Sequence, residues 1–177
     1  MKRYVAIVNF GKFSSEKISN IMKKIGINSK IINPNQNNIN FTPTHIILSG
    51  SEKHVYNDDS YKMPKWVLEL NVPVLGVCYG MQLIAHTFGG IVIRMNKLEK
   101  GPVDVIEIIN KKVTMNKRWM NRYDRILVAP SSFIITGFTL EKNIASFTDE
   151  KKWWGIQYHP ESDYYGDYNV FLRFLDF

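Results

Sequence analysis

Gly76-Val77-Cys78-Tyr79-Gly80 contains the only cysteine of the chain, and its G-x-C-x-G layout lies between an apolar run and a helix-like pattern. Such a bracket suits a nucleophile elbow, in which two glycines let neighbouring backbone approach a tight turn that lifts the central side chain above a sheet. Sulfur at a helix N-terminus meets unpaired N–H groups and the positive end of the macrodipole, both of which favour thiolate. The N–H of Tyr79 can point at the place where a substrate carbonyl becomes an oxyanion. A small buried core thiol fits the same residues. The cysteine alone leaves both readings open.

A nucleophilic thiol needs a base, and the base needs an orienting partner. The chain has four histidines. His45 begins a strand-like run and His54 sits in a polar loop. His86 is eight residues along the helix after Cys78, too far up at ~1.5 Å per residue. His159 differs, because "WGIQYHPES" puts Pro160 and Glu161 directly after it. Proline keeps the preceding residue extended, and a period of two then places Glu161 on the side of His159. The carboxylate can hold one ring nitrogen while the other faces a thiol. That is the logic of a triad with Cys78 as nucleophile, His159 as base and Glu161 as orienter.

The elements around these residues read as strands alternating with helices. "RYVAIVNFG" is a buried strand, and "SSEKISNIMKKIG" a helix with Ser14 or Ser15 as cap and Gly26 as stop. "INSKIIN", "HIILSG" and "VPVLGVC" are strands; the last is apolar throughout, as in the middle of a parallel sheet covered on both faces. "MPKWVLELN" is a helix opened near Pro64. "YGMQLIAHTFGG" is another, with Met81, Ile84, Ala85 and Phe88 on one side and Gly89-Gly90 at its end. The second half is strand-rich, with a hairpin around Asn110-Lys111, and "YNVFLRFLDF" closes as an amphipathic helix. The expected fold is α/β, a largely parallel central sheet with helices on both faces and a strand-rich C-terminal half, forming one domain over residues 1–177.

Composition narrows the function classes. The net charge of +7 is scattered over pairs such as Lys23-Lys24, Lys111-Lys112, Lys117-Arg118 and Lys151-Lys152. No nucleic-acid-binding signature accompanies it, so solvated faces explain it better than nucleic acid does. No run reaches the ~18 apolar residues of a membrane span. A single cysteine offers no disulfide framework, which points to a reducing, cytoplasmic setting.

"PVLGVCYGMQLIAHTFGG" and "WGIQYHPES" together resemble the two signature segments of class I glutamine amidotransferases. With "ILSG" and "YVAIVNFG", the form is most similar to the glutaminase domain of GMP synthetases, over Tyr4 to Phe177. The resemblance implies a flavodoxin-like sheet and hydrolysis of L-glutamine to glutamate and ammonia through a thioester on Cys78, with His159 and Glu161 completing the triad. It further implies an oxyanion hole from the backbone of Tyr79, Gly50 and Ser51, and substrate contact by Gln82. Ammonia would pass to a separate ATP-pyrophosphatase synthetase that aminates XMP. No cofactor or metal is implied for this chain; ATP and magnesium would belong to the synthetase. Three segments depart from the family pattern: "SGSE" stands for "SGGP", "NRYD" (121–124) for "SHGD" with only Asp124 matching, and "FGKF" for "FGSQ". A positive φ at Ser51 would be strained. These departures fit a glutaminase that is weakly active or active only with its partner. A stand-alone γ-glutamyl peptidase or hydrolase with the same triad, and a catalytically impaired binding or regulatory module, are the alternative readings.

Overall fold

A computed structural model describes residues 3–109 and 111–177. In chain order the elements are β1 (Tyr4–Val8), α1 (Lys12–Lys24), β2 (Asn28–Ile32), β3 (His45–Leu48), α2 (Lys65–Glu69), β4 (Val74–Val77) and α3 (Tyr79–Thr87). Then follow β5 (Ile91–Ile109), β6 (Lys112–Val128), β7 (Ile134–Thr139), β8 (Ile144–Thr148), β9 (Trp153–Ile156) and α4 (Tyr168–Leu175). Nine strands pair in the order β2-β1-β3-β4-β9-β8-β7-β5-β6. The first four pairings, from β2 to β9, are parallel. The last four are antiparallel. The fold is thus α/β with a parallel half and an antiparallel half.

Strand periodicity divides the core between two faces. Ala6 and Val8 of β1 pack with Trp66 and Val67 of α2 and with Met81, Ile84 and Ala85 of α3. Val5 and Ile7 pack on the other face with Ile18, Ile21 and Met22 of α1 and with Val170, Phe171 and Phe174 of α4. Every residue of β3 and β4 is buried, as in strands covered on both faces; β4 carries no polar side chain, whereas β3 opens on His45. Among the described residues, no helix is long and apolar enough to cross a membrane.

Three local expectations change. Helix α1 begins at Lys12 with Gly11 as its N-cap and no side-chain cap, so neither Ser14 nor Ser15 caps it; both are buried inside the helix. Ser49, at the end of β3, instead accepts the Phe10 and Gly11 N–H groups. The apolar run "RILVAP" (125–130), which reads in the sequence as one of the strands of the second half, is not a separate strand: its first residues continue β6, which pairs with β5 along almost its whole length. Segment 121–124 accordingly lies within a strand. Phe88, at the end of α3, is half-exposed rather than part of that helix's buried side. The hairpin itself forms with Ile109 opposite Lys112, and Lys111 takes a φ of 62°, while Asn110 is outside the described residues.

Two glycines set the approach of α3 to the sheet. A Cβ on Gly76 would stand 2.6 Å from the Gly80 carbonyl, and one on Gly80 would stand 2.3 Å from the Leu48 carbonyl oxygen. Backbone cannot yield as a flexible side chain can. We expect Gly80→Ala to lower unfolding stability by about 3 kcal/mol in denaturant titrations, at the upper end of overpacking costs. Gly26→Ala, at φ +75° with open space around it, should cost only about 1 kcal/mol.

Candidate active site

The elbow is built by the end of β4. Cys78 adopts φ 51° and ψ −103° between β4 and α3, a sparsely populated conformation that costs about 1–3 kcal/mol. Its N–H donates to the Ile156 carbonyl of β9 at 2.8 Å, and its own carbonyl accepts the first helical bond, from Gln82 N–H at 3.1 Å. The side chain is buried, and the thiol donates to the Asn121 carbonyl of β6 at 3.7 Å. Tyr79 follows as the first residue of α3, where an N–H has no acceptor within the helix.

His159 arrives on the segment after β9. Its N–H donates to the Trp119 carbonyl of β6 at 2.9 Å. Nδ1 lies 2.9 Å from Glu161 Oε1, while Nε2 is buried without a hydrogen-bond partner. The expected pairing is present, but strand alternation does not make it. Residues 159–162 form a turn closed by Ser162 N–H on the His159 carbonyl at 3.1 Å, with Pro160 at the position where its fixed φ suits a turn. A side chain at Gly50 would begin 3.0 Å from His159 Cε1 and 3.7 Å from Cys78 Cβ. Cys78 and His159 therefore flank the same glycine.

Charge is distributed unequally over these groups. Burial disfavours imidazolium, but the Glu161 carboxylate and the Cys78 sulfur outweigh it and hold the His159 pKa well above its ordinary value. Burial likewise works against an ionised Glu161, yet His159 and the Ser14 hydroxyl keep its pKa below the ordinary carboxylate value. Ser14 Oγ donates to Glu161 Oε1 at 2.6 Å and accepts the Gly50 N–H at 3.2 Å. Nothing in the sequence distinguishes Ser14 from a helix-capping serine, because its partners are 36 and 147 residues away.

The bond to Ser14 occupies the Gly50 N–H. The Gly50 carbonyl lies against Gly11, so the trans peptide turns the Ser51 N–H the opposite way. Ser51 has no positive φ, and the strain anticipated for a serine there does not arise. Gln82 is buried one turn along α3, its Nε2 donating to Gln157 Oε1 at 3.2 Å and to the Asp124 carbonyl at 3.4 Å. The Asp124 carboxylate is also engaged: His54 Nδ1 is 2.6 Å from one oxygen and the Tyr56 hydroxyl donates to the other at 2.9 Å. His54, read from the sequence as an ordinary loop residue, thus ties the loop after β3 to β6.

A buried polar network braces the His159 turn. Arg118 donates to Glu107 through Nε and Nη2 at 3.0 and 2.9 Å, and to Asp167 through Nη1 at 2.6 Å. Tyr158 donates to the other Glu107 oxygen at 2.7 Å, and Asp167 N–H donates to the Pro160 carbonyl at 3.0 Å. Both ends of segment 158–167 are held. A sequence signal for it exists: Glu107 continues the inward face of Val103 and Val105, where an apolar residue belongs.

The family model for glutamine amidotransferase class-I matches residues 6–173. A glutamine-hydrolyzing GMP synthase of Clostridium acetobutylicum is 33% identical over 170 residues, covering 90% of this chain and 33% of that protein. The chain spans about a third of the length of the curated relatives it matches. A protein of Thermoplasma acidophilum described as a candidate GMP synthase subunit has a TM-score of 0.86 at 20% identity, covering 99% of this chain and 94% of that one. A glutamine amidotransferase of Thermotoga maritima has a TM-score of 0.76 at 17% identity, covering 91% and 77%. The two structural likenesses concern the fold.

In Glu161→Gln the imidazolium loses its main stabilising charge, so the His159 pKa measured by NMR titration should fall. A raised folded-state pKa stabilises below the unfolded value of about 6.5, and the contribution is lost as pH rises through the folded value. Unfolding free energy attributable to His159 should therefore decline toward alkaline pH in the unaltered chain, and less in Glu161→Gln.

Proposed function

Because the chain belongs to the class I glutamine amidotransferase family, we propose that it hydrolyses the side-chain amide of L-glutamine with Cys78, His159 and Glu161 as the catalytic group. The observation that carries this reading is the arrangement around Gly50. Cys78 on its elbow and His159 flank that glycine, with the unpartnered Nε2 of His159 available for proton transfer. Cys78 gives its thiol proton to His159 Nε2, and Sγ attacks the amide carbon, forming the C–S bond as the carbonyl π electrons move to oxygen. The N–H groups of Tyr79 and Ser51 are the donors assigned to that oxyanion; the Gly50 N–H, bound to Ser14, contributes by fixing the loop. His159 protonates the amide nitrogen, the C–N bond breaks and ammonia leaves. Water then attacks the thioester, His159 takes its proton, and the C–S bond breaks to release glutamate. Glu161, held by Ser14, keeps His159 oriented and compensates its charge.

Ammonia would be delivered to an ATP-dependent synthetase of the ATP-pyrophosphatase type that converts XMP to GMP, in a cytoplasmic setting. Relatives named GMP synthase at about one-third identity support that acceptor. The engagement of Asp124 by His54 and Tyr56 favours a glutaminase whose activity depends on its partner. In the family pattern that carboxylate belongs to the segment that holds the glutamine backbone.

Glutamate release from glutamine should fall at least about 1,000-fold in Cys78→Ala or Cys78→Ser, as expected when a nucleophile is removed from a group that acts as a unit. A diazoketone analogue of glutamine should label Cys78 in the unaltered chain. Turnover should rise when a GMP-forming synthetase, ATP and XMP are added. Absence of both turnover and labelling, with and without the synthetase, would rule the reading out.

A further inference from the structure

One buried cation has donors that the fold leaves unused. Arg122 lies in β6 with its side chain 1% exposed. Its Nε donates to Glu99 Oε2 of the facing strand at 2.6 Å, but Nη1 and Nη2 are both buried without an acceptor. A guanidinium does not give up its charge inside a protein, and an unpaired buried charged donor costs more than a neutral one. Arg118, on the same strand face, has all three nitrogens bonded to Glu107 and Asp167. The difference suits Arg122 for an acceptor that comes from outside the fold.

Its position indicates the kind of acceptor. Arg118, Met120, Arg122, Asp124 and Ile126 form the buried face of β6. Met120, one step before Arg122 on that face, belongs to the same packed cluster as Cys78 and Tyr158. Asp124, one step after, gives its carbonyl to Gln82 on α3. Between them, the carbonyl that accepts the Cys78 thiol belongs to Asn121, in the peptide joined to Arg122. Arg122 therefore leaves the backbone beside the sulfur. When glutamine reacts at its Cδ, its α-carbon is three carbon–carbon bonds away and carries a carboxylate. Two parallel N–H donors of a guanidinium match a carboxylate in a bidentate contact.

We propose that Arg122 is a substrate-binding residue whose Nη1 and Nη2 hydrogens bind the α-carboxylate of the glutamine attacked by Cys78. The assignment rests on the glutaminase reading above. Glu99 at Nε steadies the guanidinium and leaves the end of its fork without an acceptor. Asp124, two residues farther along the same face, supplies the opposite charge that complements an α-ammonium group once His54 and Tyr56 yield. A cation and an anion at that spacing fit the zwitterionic end of a free amino acid.

Calorimetric titration of Cys78→Ala protein with L-glutamine, alone and with a GMP-forming synthetase, reads binding without turnover. Adding Arg122→Met should weaken it about 30-fold or more, the scale of losing one partner of a buried charge pair. Arg122→Lys, which keeps the charge without the fork, should fall between the two. The α-amide of glutamine lacks the carboxylate, so its affinity should change less than about threefold on Arg122→Met. Unfolding midpoints of each variant show that the fold persists. Unchanged glutamine affinity in Arg122→Met, an equal loss for the α-amide, or no glutamine binding to Cys78→Ala protein under either condition would overturn the assignment. Failure of the glutaminase reading looks different: glutamine binds in an Arg122-dependent way, yet the unaltered chain releases no glutamate.

Discussion

The parallel pairing of β4 with β9 brings together Cys78 and His159, which lie eighty-one positions apart in the chain and just beyond the ends of these strands. Its register sets Gly76 opposite Gly155 and Val77 opposite Ile156, and the ladder continues into the bond from Cys78 N–H to the Ile156 carbonyl. From there the chain needs only three residues to reach His159. A slip of one residue would turn every β9 side chain to the other face of the sheet. Glycine at 76 and 155 lets α3 settle onto these two strands, since a Cβ at 155 would meet Met81 and Phe147 at 2.6 Å. Elbow, helix and returning strand form one packed unit.

Two costs arise in and around this unit; packing offsets one, and hydrogen bonds among buried polar groups offset the other. The strained backbone of Cys78 costs about 1–3 kcal/mol, whereas burial of one aliphatic side chain contributes about 1.5–3 kcal/mol. Leu75 and Val77, immediately before it, are fully buried, so the strand end can hold a conformation that an isolated peptide would avoid. The second cost is buried charge. Removing ions from water takes several kcal/mol each unless their bonds are supplied in full. Glu107, Arg118, Asp167 and Tyr158 supply bonds to one another and fix the ends of segment 158–167. Glu161 is held through Oε1 alone, by His159 and Ser14, while its Oε2 is buried without a hydrogen-bond partner.

The antiparallel half positions the site from its far side. β6 holds the His159 backbone through Trp119 and receives the Cys78 thiol at Asn121. It also places Asp124 against the loop after β3. Segment 121–124, which departs most from the family pattern, is therefore a strand wall beside the sulfur. Its residue types bear directly on what can occupy the site.

Much of this was legible from residue types and spacing. The apolar run of β4, and Ile46, Ile47 and Leu48 in β3, mark these strands because strands covered on both faces have little polar side to show. The glycine bracket marks the elbow because only glycine admits backbone at such close range, and His159 with Glu161 two residues later marks a hydrogen-bonded pair. Tertiary structure decided what spacing could not. It made the His–Glu contact through a proline turn instead of an extended strand. It drew Ser14 from a supposed cap into a bond with Glu161, and it bound the Gly50 N–H to that same serine. It also left the Arg122 fork without a partner. Each of these depends on groups remote in sequence meeting at one place, and local periodicity carries no information about such meetings. The chemistry of the candidate nucleophile is local; the shape of the space around it is set by distant strands.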